Sequence, residues 1–263
     1  MKKAALLYTM ELKNILKRVF YYVTVPKCAC CRQILDFEDK ALCKECLLQY
    51  RDVKLGNCSV CSKPFDSCAC SNEYLERHSV KRLFKVFRYH PENLYDEKLP
   101  TNELLYAIKR DKRFDVVDFL ADELMSVLNG RLNAEGFVIT NVPRKKERVR
   151  KYGFDHSRVI AIELAKRLGI EHLDLIVSKS AKAQKKTRGK ERILNAKFDY
   201  PKRTEDIKGK RVILFDDIVT TGASMGNSAM LIKGLGAKEI VGVCLAISFN
   251  DKYKPFASVN RKN

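Results

Sequence analysis

The chain is 263 residues long, with 51 Lys and Arg against 32 Asp and Glu, a formal net charge of +19 and 46% hydrophobic residues. That length suits one globular domain of about 180 residues beside a smaller module, and no run approaches the roughly 20 apolar residues of a membrane-spanning helix. The charge excess favours polyanions or phosphate-bearing ligands as partners.

In chain order, Leu6, Leu7, Met10, Ile15, Leu16, Val19 and Phe20 recur at helical spacing ahead of Pro26 and predict a helix within residues 1–27. The short apolar run Ala4 to Leu7 behind Lys2 and Lys3 is interrupted by Thr9 and Glu11, and no small-residue cleavage site follows. It does not read as an export signal, so the chain is expected in the cytoplasm. Nine of the ten cysteines then fall between Cys28 and Cys70. Cys28 and Cys31, Cys43 and Cys46, and Cys58 and Cys61 are C-x-x-C pairs, and Cys68 with Cys70 closes the series as C-x-C. Two residues between thiolates let both sulfurs of a tight turn reach one tetrahedral zinc, so four pairs predict two structural zinc ions in residues 28–70. Cys28, Cys31, Cys43 and Cys46 form one expected set and Cys58, Cys61, Cys68 and Cys70 the other, although spacing alone also permits crossed pairing. Cys30 is a candidate substitute ligand. A disulfide framework would need an oxidising compartment. A segment this short could hardly fold without such staples, and its loss is expected to leave the remaining domain largely folded.

Residues 71–79 read as a polar connector, and Lys81 to Tyr89 as a strand carrying Leu83, Phe84, Val86 and Phe87. Val116, Val117, Phe119, Leu120, Leu124, Val127 and Leu128 mark an amphipathic helix, and Phe137 to Val142 a second strand. Val159, Ile160, Ile162, Leu164 and Leu168 mark another helix, followed by a strand over Leu173 to Val177. The last strand spans Glu239 to Ser248, where Cys244 reads as a small buried residue. Lys252 to Asn263 is a basic tail. Strands alternating with helices predict an α/β domain over residues 80–250, a parallel sheet with helices on both faces and its ligand site beyond the strand carboxyl ends. The histidines, His78, His90, His156 and His172, share no metal-ligand spacing and read as surface residues.

Residues 142–192 hold sixteen Lys and Arg against six acids. Such a segment attracts polyanions through counterion release, and Tyr152, Phe154 and His156 among the bases offer rings for unpaired nucleobases. Arg144, Lys145, Lys146, Arg148, Arg150 and Lys151 are the candidate nucleic-acid contacts, and Lys179 to Arg192 adds a second basic run.

Val212, Ile213, Leu214 and Phe215 predict a strand covered on both faces, ended by Asp216 and Asp217. Thr220, Thr221, Gly222, Ala223 and Ser224 follow, small enough for backbone N–H groups to close on an anion. Met225, Ala229, Met230, Ile232 and Leu235 then carry a helix whose N-terminus favours a phosphate. Two acids beside that cradle suit the hydroxyls of a ribose 5-phosphate. A triphosphate fits less well, because Ala223 stands where a Walker loop has Lys. This segment resembles the ribose-phosphate loop of type I phosphoribosyltransferases. The resemblance implies that Asp216 and Asp217 meet the ribose of phosphoribosyl pyrophosphate, which brings magnesium with it, and that Thr220, Thr221, Gly222, Ala223 and Ser224 hold its 5-phosphate. Purine-salvage members carry Asp in place of Thr220, and Thr cannot serve as a base at neutral pH.

The Cys-rich module followed by such a domain resembles the ComF family of competence proteins, and so do Val142-Pro143-Arg144, Gly153-Phe154, Gln184, Arg192 and Asn195. Tyr152, Asp155 and His156 depart from that family's pattern. The resemblance places a Lys-rich turn at Ile108 to Lys112, making Lys109 and Arg110 candidates for a pyrophosphate contact. It implies a protein of natural transformation that binds phosphoribosyl pyrophosphate and passes single-stranded DNA, with the DNA-uptake machinery at the cytoplasmic membrane face as a partner. The alternative is an active phosphoribosyltransferase acting on a base or amine.

Overall fold

A computed structural model describes residues 25–54, 56–58, 60–90, 98–179, 198–203 and 205–248. The expected N-terminal helix, the basic run beyond Lys179 with Gln184, Arg192 and Asn195, and the C-terminal tail lie outside the described residues.

Each Cys set opens on the same hairpin. Cys28 N–H donates to the Gln33 carbonyl at 2.7 Å and Cys58 N–H to the Lys63 carbonyl at 2.8 Å. Arg32 (φ 67°) and Ser62 (φ 58°), each directly after the second Cys, turn the chain back in left-handed conformation. The second halves differ. Cys43 precedes helix α1 (Lys44–Lys54), whereas Cys68 and Cys70 lead through Asn72 into the short helix α2 (Glu73–Arg77). That helix occupies the stretch expected as a plain connector, because the Asn72 side chain accepts the Leu75 N–H and caps it.

Strand β1 (Val80–Tyr89), helices α3 (Pro100–Asp111) and α4 (Phe114–Leu128), and strand β2 (Phe137–Asn141) follow. Next come α5 (Lys146–Tyr152), α6 (His156–Leu168) and β3 (Glu171–His172). Strands β4 (Val177–Ser178) and β5 (Phe198–Asp199) form a separate antiparallel pair, and β6 (Arg211–Val219), α7 (Ala223–Gly234) and β7 (Glu239–Ser248) complete the chain. The main sheet runs β1-β7-β6-β2-β3, with every pair parallel. Ile213, Phe215, Val241, Val243 and Leu245 bury one face in a core shared with α3, α4 and α6. Val212, Leu214, Ile240 and Cys244 bury the other against Met225, Ala229 and Ile232 of α7. Helices therefore cover both faces, as the continuous apolar runs of β6 and β7 require.

Two expected strands differ in extent. β6 does not stop at Phe215 but carries Asp216 and Asp217 within it, because pairing with β7 continues from Asp216↔Cys244 to Val219↔Ile247 and keeps the backbone satisfied beneath the charged side chains. Where a strand was expected over Leu173 to Val177, the pairing with β2 lies upstream at Glu171 and His172, and Val177 pairs with Asp199 of β5. Leu173, Leu175 and Ile176 are buried from a loop. Helix α5 was not legible because it has no buried residue and hence no apolar period.

The Cys-rich modules are built into the sheet domain rather than appended to it. Cys28, Ala29, Leu35 and Tyr50 share the α3–α4–α6 core, where the Tyr50 ring meets Phe87 and Phe119 edge-on at 6.0 and 5.4 Å. Cys58, Phe65 and Cys68 belong to the core on the α7 face.

Candidate functional site

From β2 the chain moves outward to β3, and from β6 it moves the opposite way to β7. The crevice between the carboxyl ends of β2 and β6 is thus the topological switch point, where open α/β sheets bind ligands. A cavity of ≈ 280 Å³ lies there, lined by Arg144, Lys145 and Arg148 after β2, by Asp216, Asp217 and Ser224, and by Val142, Ile218 and Phe198 on its apolar side.

Asp217 is the electrostatic centre. Its Oδ2 accepts from the Arg144 guanidinium at 2.6 Å and from His156 Nε2 at 3.0 Å, and it pairs with Lys109 Nζ at 3.2 Å. Burial opposes ionisation of this carboxyl, but the His156 hydrogen bond and the Lys109 and Arg144 cations hold it well below the usual carboxylate range. Asp216 is half-buried, and burial together with the adjacent Asp217 charge pushes its carboxyl well above that range. Burial also lowers the His156 imidazole, with Asp217 offsetting only part of the effect. A neutral ring then donates from Nε2, while Nδ1 is enclosed without a partner.

Helices set these groups in place. Asp155 caps α6 by accepting the Arg158 N–H at 3.2 Å, and its other oxygen takes the Arg144 N–H at 3.4 Å. His156, in the first turn of α6, is thereby aimed at Asp217 from a position expected to be surface. Arg144, grouped from sequence with the nucleic-acid contacts, has its side chain turned inward. Lys145, Lys146, Arg148, Arg150 and Lys151 are exposed on and beside α5. Lys109 reaches the site from the last turn of α3, whereas Arg110 stacks over the Tyr106 ring at 4.8 Å. Among the other histidines, His172 Nε2 meets Asn141 Oδ1 at 3.1 Å and His78 stacks on Tyr74.

The loop Thr220–Gly222 joins β6 to α7. Gly222 (φ 81°) is the residue before the helix, and the Thr221 hydroxyl accepts the Ala223 N–H at 3.3 Å. Thr220 is exposed and Ser224 lines the cavity, so small side chains and helix-opening amides face the same crevice as the two acids.

The sulfurs of Cys28, Cys31, Cys43 and Cys46 gather within 4.8 Å of one another, as do those of Cys58, Cys61, Cys68 and Cys70. Zinc at about 2.3 Å from each sulfur of a tetrahedron implies sulfur separations of about 3.8 Å. Cys31–Cys43 at 3.7 Å and Cys61–Cys68 at 3.5 Å suit that ion. All ten cysteines are unbridged. Cys43 N–H donates to Cys28 Sγ at 3.4 Å and Cys70 N–H to Cys68 Sγ at 3.3 Å. Lys85, buried in β1, adds its ammonium to Cys68 Sγ at 3.1 Å. Amide and ammonium donors to sulfur are the partners thiolate ligands need.

Residues 155–258 match the phosphoribosyl transferase domain family. Competence protein F of Haemophilus influenzae is 24% identical over 233 residues, 81% of this chain and 93% of that protein. Competence protein ComFC of Streptococcus pneumoniae is 24% identical over 211 residues, 79% of this chain and 88% of that protein. The DNA utilization protein YhgH of Salmonella typhi is 24% identical over 231 residues, 85% of this chain and 98% of that protein. No helix of the described residues is long and apolar enough to cross a membrane. With two tetrathiolate sets leading into a region that matches the phosphoribosyl transferase domain family, the chain is similar to competence proteins F and ComFC over most of their length.

Proposed function

We propose that the chain binds phosphoribosyl pyrophosphate, or a related sugar phosphate such as ribose 5-phosphate, at the β6–α7 loop, and handles single-stranded DNA in the cytoplasm during DNA uptake. The observation that carries this reading is the meeting of Asp217 with Lys109 and Arg144 beside the Thr220–Ser224 loop. In this reading the loop supplies donors for a 5-phosphate, Asp216 and Asp217 accept from ribose hydroxyls, and Lys109 and Arg144 offer positive charge to the diphosphate. Magnesium arrives with such a diphosphate, and the two acids meet it through the ribose or water. One zinc in each tetrathiolate set holds the modules together. The relatives' names, competence and DNA utilization, support the DNA-handling half.

Phosphoribosyl pyrophosphate at a hundredfold its Kd should stabilise the protein by about 2.7 kcal/mol in a thermal shift experiment. Asp216→Asn, at a half-buried position lining the cavity, should abolish the shift while the protein stays folded. Thr221→Val should weaken binding by about 1 to 3 kcal/mol. An Asp216→Asn protein that responds like the parent rules out the ribose assignment.

For DNA, log affinity should fall linearly with log salt at about 0.7 per phosphate neutralised. Lys146, Arg150 and Lys151, exposed and outside the cavity lining, changed together to Ala should shallow that slope and leave the sugar-phosphate response intact. Loss of the sugar-phosphate response with no DNA binding in the parent assigns these bases to the pocket instead. A second reading, phosphoribosyl transfer to a base or amine with release of pyrophosphate, is favoured by the apolar wall of Val142, Ile218 and Phe198 beside the acids. Pyrophosphate release across a panel of bases and amines tests it, and turnover would rank it first.

A further inference from the structure

Only Ser71 separates Cys70 from Asn72, and Asn72 holds the phosphate loop. Its Nδ2 donates to the Thr221 carbonyl at 3.3 Å while its Oδ1 accepts the Leu75 N–H at 2.8 Å. One side chain thus fixes both the start of α2 and the backbone of the loop. Leu75 is fully buried and lies against Gly222, where a Cβ would come within 2.8 Å of Leu75 Cγ. The left-handed turn opening α7 is therefore moulded to this leucine as well as dependent on glycine. One turn on, the Tyr74 hydroxyl donates to Asn227 Oδ1 at 3.1 Å, and its ring lies so close that a Cβ on Gly226 would come within 2.7 Å. At its other end the segment is tied to the second tetrathiolate set. Lys85 Nζ donates to both Cys68 Sγ and the Cys70 carbonyl, at 3.1 and 3.0 Å.

We propose that the second tetrathiolate module positions the phosphate loop, with Asn72 and Tyr74 as positioning residues, so that zinc at Cys58, Cys61, Cys68 and Cys70 and a sugar phosphate at Thr220–Ser224 strengthen each other's binding. The proposal rests on the reading that this loop takes the ribose 5-phosphate. Zinc fixes the path of Cys68–Cys70, that path fixes Asn72 and α2, and α2 fixes the loop. Coupling of this kind is reciprocal: the ligand must retain the metal by the same factor that the metal favours the ligand.

The test uses the full zinc-loaded chain and follows zinc release to a chromogenic chelator with and without phosphoribosyl pyrophosphate, alongside calorimetric titration of that ligand. In the parent, the ligand should slow release of one of the two zinc ions. Asn72→Ala should keep both ions, bind the ligand about five- to tenfold more weakly, as for one lost hydrogen bond, and lose the protection. Tyr74→Phe, which removes one oxygen, should do the same to a smaller degree and decides the matter if Asn72→Ala fails to fold. Glu73→Ala, on the exposed side of α2, should behave like the parent. Ligand binding in the parent with zinc release indifferent to it, or with unchanged affinity in Asn72→Ala and Tyr74→Phe, overturns the coupling and leaves the sugar-phosphate reading standing. No ligand binding in the parent overturns both.

Discussion

Cys28→Ser is expected to cost the protein one of its two metal equivalents and on the order of 5 kcal/mol of stability, enough to prevent folding near body temperature. The sulfur is fully buried, accepts the Cys43 N–H and stands within ligand distance of three others. A serine there leaves three thiolates around an ion that needs four. The damage should not stay local. Helix α1 hangs from Cys43 and Cys46, and its Tyr50 packs on Phe87 and Phe119 while its hydroxyl donates to Glu123 at 2.7 Å. Unfolding should therefore appear as one early transition that includes the sheet, rather than as separate melting of a small module. Elemental analysis with calorimetry decides. Two metal equivalents and an unchanged Tm in the variant would remove the metal assignment.

Asp217→Asn should destabilise the folded protein by about 3 kcal/mol, the scale for breaking a buried ion pair while leaving its partners in place. The Arg144, Lys109 and His156 side chains all converge on this carboxylate, itself 7% exposed, and among the described residues none of those side chains pairs with another carboxylate. The pH dependence has a definite sign. A carboxyl held below its ordinary value contributes fully above about pH 4, and that contribution is lost as pH falls through the folded value. Asp217→Asn should therefore flatten the acid limb of the stability curve. Asp216, whose folded value is raised, works in the opposite sense and makes the less damaging probe of ligand binding. Denaturant unfolding from pH 3 to pH 7 measures both. An unchanged acid limb in Asp217→Asn would show that the three contacts contribute nothing net.

Most of the sheet was legible because β6 opens on the apolar run Val212–Phe215, β7 is almost wholly apolar between Ile240 and Ile247, and α4 carries its buried residues at regular spacing. The strand expected at Glu239 to Ser248 coincides with β7. The β6–α7 loop was legible through its small residues between an apolar run and an apolar helix. The lines missed are those where contacts across the fold, rather than local pattern, decide structure. Asp216 and Asp217 lie inside a strand because β7 pairs with them, and no periodicity announces that. His156 sits among bases in the sequence and looked solvated. The signal that would have placed it is the Asp155 cap, which starts a helix shortly after α5 and aims the next residue at the crevice. Asn72 looked like connector because its partners, Leu75 and Thr221, belong one to a five-residue helix and the other to a loop 149 positions away.

The second tetrathiolate module also lies along the open side of β1, the outermost strand of the sheet. Leu83 N–H bonds to the Ala69 carbonyl at 3.0 Å, and Cys70 bridges Arg82 in antiparallel fashion. A parallel sheet ending on Leu83, Phe84, Val86 and Phe87 would otherwise present unpaired backbone beside large apolar side chains, a ready template for a second molecule. Protein whose Cys58–Cys70 set is left without metal would expose that strand edge to other copies, and its yield from cells would then track metal supply.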